Sequence, residues 1–295
     1  MALDILDGPL LARRTTLGLG GKTLAEIRAA SVADLDGLSD ALARVGARPL
    51  ALGGGSNILA ADRELDLAVV SLARGGDPER APGAAAGRVR VAVWGGLPLG
   101  RLEVWCRRRG LAGLSGMVGI PGTVGGAVAG NAGSYGRDMA GVLAGVWAWT
   151  PDAGVEFFGP DRFTAGYRRF SLVGVAGFFM IARVLLDFES AAEAAVREEA
   201  GLALKKKKAA QPIAAATAGC VFKNPEGQSA GRLLDLAGFR GRGLGGMEFS
   251  AMHANFLVNR GGGTSQAAFE LIDAAREAVS SRFGHELELE VRVVS

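Results

Sequence analysis

Five segments hold residue types able to do chemistry. AGCVFKNP (218–225) sets a thiol, a cation and a carboxamide, Cys220, Lys223 and Asn224, close together. A thiol beside a cation is acidified and can serve as a proton donor. Taken alone, a buried inert cysteine accounts for the segment more simply. The only histidines are His253 and His285, and no local signature supports a Cys–His nucleophile. GYRRF (166–170) offers Tyr167 and Arg168, a pair able to hold a carboxylate by charge-assisted bonds, although an ordinary strand end fits the spacing better. The closing ELELEVRVV (286–294) alternates strictly, so Glu286, Glu288, Glu290 and Arg292 share one face. By pattern alone that face is a solvated one of mixed charge. LGGGSN (52–57) follows a predicted strand, and N–H groups from consecutive glycines can form a nest for phosphate oxygens. IPGTVGGAVAGNAGSYG (120–136) lets backbone come against a flat or pyrophosphate-bearing ligand, and its apolar content argues against a linker. The two glycine loops together point to one large anionic ligand held mainly by main chain.

Two phosphate-loop readings fail. TTLGLGGKT (15–23) approximates G-x-x-x-x-G-K-[ST], but Thr16 stands where the first glycine is needed and no apolar strand precedes it. The 52–57 turn is not a G-x-G-x-x-G opening a helix, which disfavours a Rossmann site.

The elements that must position these residues follow from pattern. A helix is predicted over 31–45, started by Ser31 and Asp34 with Leu35, Leu38 and Leu42 on its apolar stripe. A short strand running into a glycine turn is predicted over 49–59, strands at 65–72, 88–94, 143–150, 154–158 and 173–187, and a helix near 98–109 with Leu102 and Cys106 on one face. The polar, Gly/Pro-rich stretch 73–87 reads as a boundary loop. A helix over 190–209 is signalled by Ser190 and Glu193 as a capping box, with the Lys205–Lys208 run as its solvated end. A last helix, 264–283, should turn Phe269, Ile272, Val279 and Phe283 inward. Strands without regular intervening helices indicate antiparallel sheets and an α+β class.

Composition narrows the function. The 295 residues carry a net charge of only +3, with 27 Arg to 6 Lys and few aromatics among the basic runs, so no nucleic-acid partner is expected. The two cysteines match no metal spacing and fit a reducing compartment. Residues 111–136 carry no charge and are long enough to span a bilayer, but nine of the 26 are glycine and Pro121 interrupts them. The start has no signal-peptide pattern. These features predict a cytoplasmic protein without metal or membrane partner; a monomer is expected, although no residue pattern sets the oligomeric state.

TTLGLGG, LGGGSNIL, GLSGMVGIPGTVGGAVAGNAGSYG, YRRFS, AGCVFKNP, GRLLDLAGFRG, SAMHANFLVN and ELEVR, in this order from about Thr15 to Arg292, resemble the UDP-N-acetylenolpyruvoylglucosamine reductases. These are the flavoenzymes of peptidoglycan precursor synthesis. The chain is similar to the short branch that lacks an extra tyrosine loop over the substrate. The resemblance implies a two-lobed FAD-binding fold of the PCMH type followed by an α+β substrate domain. It divides the chain as 1–73, 74–190 and 191–295, the last strand returning to the active site. It implies FAD between the first two lobes, with its pyrophosphate on Gly53, Gly54, Gly55, Ser56 and Asn57. The flavin side would be wrapped by Ile120, Pro121, Gly122, Thr123, Gly125, Gly126, Asn131, Ala132 and Gly133. It implies NADPH as reductant and the enolpyruvyl ether of UDP-N-acetylglucosamine as substrate, giving UDP-N-acetylmuramate. Arg168 and Glu290 would stabilise the substrate carboxylate, and Cys220 would protonate C2, where the family usually has Ser. Tyr167, Lys223, Asn224 and His253 would contact substrate, and Glu288 competes with Glu290 for the acid role. The rival readings are an oxidase on the same fold, against which no histidine lies in a flavin loop, and a non-catalytic flavin or nucleotide-sugar binder.

Overall fold

The computed structural model describes residues 3–295. The chain packs as two units that interleave along the sequence. One comprises the segment ending at Asp7, Ala25–Gly54 and Leu67–Lys206; the other comprises Gly8–Leu24, Gly55–Asp66 and Lys207–Ser295. The resemblance divides the chain into consecutive blocks, whereas contacts group residues distant in sequence.

The first unit holds two sheets. The smaller has strand order Ile5–Asp7, Thr23–Ala29, Leu65–Leu72, Arg48–Ala51; its first pair is antiparallel and its last parallel, and the bonds from Leu65 N–H to Lys22 O and from Ala73 N–H to Ala29 O run the middle pair parallel. Leu65–Leu72 reads as a near-continuous apolar run because almost all of it is buried. The larger sheet runs Gly154–Phe158, Leu143–Thr150, Met180–Ser190, Arg88–Trp94, Glu79–Ala81, all antiparallel. Three of these strands lie where alternation places them. The strand expected over 173–187 begins only at Met180 and runs on to Ser190; residues 173–179 form a Gly-bearing bend that follows the strand Arg169–Leu172. Ser190 ends that strand, so the following helix starts later than its capping pattern suggests, at Glu193. The helix expected over 31–45 opens with a 3-10 turn at Ala33–Gly37 and continues as Leu38–Val45, closed by Gly46 at φ 68°. Cys106 lies in the helix Leu99–Arg107, 1% exposed, and burial pushes its thiol well above the ordinary range.

The second unit packs helices Ala230–Leu236 and Ser265–Phe283 with an antiparallel sheet ordered Ala216–Cys220, Phe256–Asn259, Met247–Phe249, Gly243–Leu244. The longer helix starts at Thr264, whose hydroxyl accepts from Ala267 N–H at 3.2 Å, and ends at left-handed Gly284. It buries Ala268, Leu271, Ile272, Ala275 and Val279, while Phe269 and Phe283 lie half-buried at its margin. The closing segment is not one continuous strand. Leu289 bridges Phe222, and only Arg292–Val294 forms a strand, parallel to Ile58–Ala60. It changes partner midway, which interrupts the ladder although the alternation of Leu287, Val291 and their exposed neighbours persists.

Among the described residues no helix is long and apolar enough to cross a membrane. No group of His, Cys, Asp or Glu among them could hold a metal ion.

Candidate active site

In the first unit, the 52–54 and 120–123 loops meet backbone to backbone. A Cβ added at Gly53 would stand 2.5 Å from Thr123 Oγ1, and one at Gly54 would stand 2.7 Å from Gly122 Cα. Only glycine permits that approach. The N–H groups of Gly53, Gly54 and Gly122 donate to no acceptor among the described residues. Three uncommitted donors on two abutting glycine loops suit the oxygens of a pyrophosphate, the group that FAD would bring. Gly54→Ala should therefore destabilise the fold by about 1–3 kcal/mol, the range for a methyl forced into a packed site. It should also yield protein that loses flavin on gel filtration; full flavin content with an unchanged melting temperature would remove this contact from the site.

The rest of the second loop supports rather than offers donors. Thr123 caps the short helix Val124–Ala129 by accepting from Gly126 N–H at 3.3 Å. Val124 N–H goes to Leu97 O and Gly125 N–H to Gly95 O. Gly125 is glycine because a Cβ would meet Ile181 O at 2.9 Å. Ile120 and Ala132 pack on the core of the larger sheet, and Pro121 is exposed.

Arg168 sits at the tip of the hairpin formed by Phe163–Gly166 and Arg169–Leu172, where Gly166 faces Arg169 and two residues make the turn. It is the second of those two, with φ 51°, a position where such turns take glycine. Its guanidinium donates to Gly133 O at 2.8 Å and lies 5.3 Å from the centre of the Tyr167 ring. Tyr167 is exposed on the same tip. Asn131 is buried, and its carboxamide is taken up by Gly166 O, Asp138 and the Ala140 N–H, so its side chain serves the loop.

In the second unit, Cys220 ends the strand Ala216–Cys220 after an irregularity that includes Gly219 at φ 83°. Such a bulge re-aims the side chain that follows it. The next residue, Val221, accepts from Glu290 N–H at 2.8 Å, which sets the Cys220 and Glu290 segments side by side. Asn57 ties in from a third segment: its Nδ2 donates to Glu290 O at 3.1 Å, and its own carbonyl accepts from Arg292 N–H. Gly55 and Asn57 also keep backbone N–H groups without an acceptor among the described residues. A Cβ on Gly55 would strike Arg14 O, so the TTLGLGG segment packs against this turn.

Pairing separates the two candidate carboxylates. Glu288 is 73% exposed and ion-paired with Lys223, whose backbone N–H it also receives at 2.8 Å. Glu290 is half-buried. Asn224 Oδ1 accepts from Ala230 N–H, which holds the start of the helix Ala230–Leu236. His253 packs against Gly231 and Phe256, with Nδ1 accepting from Asn255 N–H at 3.2 Å. Burial lowers its pKa, with Arg240 adding to the effect, and so favours the neutral ring.

Sequence reasoning missed Asn255. It is 2% exposed, and its carboxamide makes both bonds to Phe222, from N–H at 3.0 Å and to O at 2.8 Å, which fixes the segment leading out of Cys220. A buried amide has to be satisfied, but which backbone satisfies it is a tertiary fact. Asp138 was missed for the same reason.

Residues 23–155 match the FAD binding domain family, and residues 211–294 match the C-terminal domain of UDP-N-acetylenolpyruvoylglucosamine reductase. A UDP-N-acetylenolpyruvoylglucosamine reductase of Oleidesulfovibrio alaskensis is 49% identical over 98% of this chain and 97% of its own. One of Nitratidesulfovibrio vulgaris is 48% identical over 99% of each. The crystal structure of the Thermus caldophilus UDP-N-acetylenolpyruvylglucosamine reductase superposes with a TM-score of 0.82 at 30% identity, covering 100% of both chains. The α+β, FAD-binding architecture expected from the motifs is thus the one found, and the chain belongs to the UDP-N-acetylenolpyruvoylglucosamine reductase family.

Proposed function

We propose that this chain reduces the enolpyruvyl ether of UDP-N-acetylglucosamine to UDP-N-acetylmuramate, with NADPH as reductant. FAD, when bound, would supply the hydride transfer that links NADPH to C3 of the enolpyruvyl group. The reading rests on the two abutting glycine loops of the first unit, whose uncommitted N–H groups suit a pyrophosphate, and, within the second unit, on the Cys220 and Glu290 segments set side by side through Val221.

Each residue has a defined task. Gly53, Gly54 and Gly122 donate to the FAD pyrophosphate, with Gly55, Ser56 and Asn57 continuing the same turn. Ile120, Pro121, Ala132 and Gly133 wall the flavin side, while Thr123, Gly125, Gly126 and Asn131 keep that wall in shape. As hydride arrives at C3, negative charge builds at C2 and spreads into the substrate carboxylate. Arg168 and a protonated Glu290 stabilise that charge, because preorganised donors act where it develops. Cys220 gives its proton to C2, completing the new C–H bond, and its thiolate is reprotonated from solvent. Tyr167, Lys223, Asn224 and His253 line the substrate, Lys223 offering a cation to its diphosphate. The same reading places the chain as a cytoplasmic monomer in cell-wall precursor synthesis, with the three sequence blocks as two FAD lobes and a substrate domain.

The test is anaerobic mixing of the flavin-loaded protein with NADPH, then with the enolpyruvyl substrate, followed by flavin absorbance. Bleaching by NADPH and recolouring only on substrate addition is expected. Bleaching that reverses with oxygen but never with substrate would favour an oxidase, and no bleaching would favour a non-catalytic binder.

A further inference from the structure

Asn131, Tyr135 and Arg168 are the non-glycine residues with positive φ among the described residues. Tyr135 and Arg168 lie in two hairpins of the first unit, Gly133–Asp138 and Phe163–Leu172, and Asn131 lies two residues before the first. Strained backbone of this kind persists only where its surroundings over-determine it. Here the surroundings are specific. Arg168 reaches from the second hairpin to Gly133 O of the first at 2.8 Å. Asn131, immediately before the first hairpin, returns the bond: its Nδ2 donates to Gly166 O, beside the turn that holds Arg168, at 2.8 Å. The same Nδ2 donates to Asp138 Oδ2 at 3.2 Å, and Asn131 Oδ1 accepts from Ala140 N–H at 2.9 Å. Asp138 Oδ1 in turn accepts from Gly141 N–H at 3.1 Å. The amide of Asn131 is therefore saturated inside the protein, and the residue is 2% exposed.

We infer that Asn131, held by Asp138, is a positioning residue for the reduction step: it clamps the Phe163–Leu172 hairpin so that Arg168 is fixed before substrate binds. Arg168 has a long side chain on a two-residue turn in an unfavourable backbone state. Without the Gly166 bond the turn is free to relax, and the guanidinium leaves its Gly133 anchor. A displacement of about 1 Å in a substrate-orienting group can cost about 100-fold. Asparagine suits the position because it tolerates the left-handed region and still donates and accepts.

This rests on the role given to Arg168 above, and the experiment separates the two. Asn131→Gly removes the amide while relieving the backbone, so loss of the clamp is not confounded with added strain. Asn131→Asp keeps the acceptor for Ala140 but deletes the donor to Gly166. In flavin-loaded protein each variant should slow the second half-reaction at saturating substrate by about 10- to 100-fold. Because Asn131 also shapes the flavin wall, flavin content and the rate of reduction by NADPH are measured on the same samples, and the second half-reaction should fall by the larger factor. Hydrogen exchange of the 163–172 amides should also accelerate at least about tenfold, reporting a local opening that leaves the rest of the fold unchanged. Unchanged exchange in both variants would overturn the clamp. Faster exchange with an undiminished second half-reaction would overturn the positioning role, provided Arg168→Ala is slow in the same assay. If Arg168→Ala is itself undiminished, the role of Arg168 falls, and the exchange result alone judges the clamp.

Discussion

Cys220→Ala should lose about 10²- to 10⁴-fold in the second half-reaction, the range over which general acids contribute, while NADPH reduces its flavin at the parent rate. Cys220→Ser should stay within about tenfold of the parent. Three observations carry this expectation. Cys220 is partly exposed where Cys106 is buried, so it alone is open to substrate and solvent. It follows a bulged strand that re-aims it, and Val221 beside it is bonded to Glu290. A hydroxyl occupies less space than a thiol and is a weaker acid, but it sits at the same atom and can deliver the same proton. Rapid mixing of pre-reduced enzyme with substrate separates the outcomes. An alanine variant as fast as the parent would remove Cys220 from the chemistry and leave C2 to be protonated by water.

The second large effect is expected at Glu290. Glu290→Ala should slow the second half-reaction by about 10²- to 10³-fold, as loss of one oxyanion donor does, and leave flavin reduction intact. Glu290→Gln should fall between alanine and parent, because a carboxamide still donates but carries no transferable proton. The same pair of substitutions at Glu288 should stay within about fivefold. That residue is exposed, and its bond to Lys223 is solvent-screened, worth at most about 1 kcal/mol. Single-turnover rates of the four variants give the comparison. Equal slowing of both half-reactions by Glu290→Ala would make the residue a structural strut, and a larger loss at Glu288 would shift the acid by one repeat along the segment.

Much of the fold was legible where local pattern and burial coincide. The strands Arg88–Trp94, Leu143–Thr150 and Gly154–Phe158 carry short β-branched and aromatic runs bounded by glycine turns, and the structure places strands at those residues. The helix Ser265–Phe283 announced both ends, with a threonine cap and a terminal glycine. Failure came where a segment's partners are remote. Residues 286–294 alternate like one strand, but the ladder is divided between Phe222 and Ile58–Ala60. No local signal reveals that division. Ser190 and Glu193 read as a cap because the pattern cannot tell that the preceding strand extends through Ser190. In the site, the glycine loops and the reactive types were visible as composition. Which of their groups face inward was not. Asn131 looked like a ligand contact and is saturated by protein, whereas Asn255 and Asp138 looked ordinary and hold the elements that matter.

The interleaving of the two units has a consequence for synthesis of the chain. Residues 8–24 and 55–66 leave the ribosome early, yet they pack with 207–295. Leu17, Leu19 and Leu59 belong to the same core as Leu271, Ile272 and Val279. The gap from residue 66 to residue 207 corresponds to on the order of ten seconds at a rate of about 5–20 residues per second. During that interval those leucines lack their partners from 207–295, although the first unit has all of its own residues by position 206. The nascent chain therefore passes through a stage with one unit able to close and two apolar segments waiting. That stage is where a chaperone would engage it and where crowded expression would drive it to aggregate.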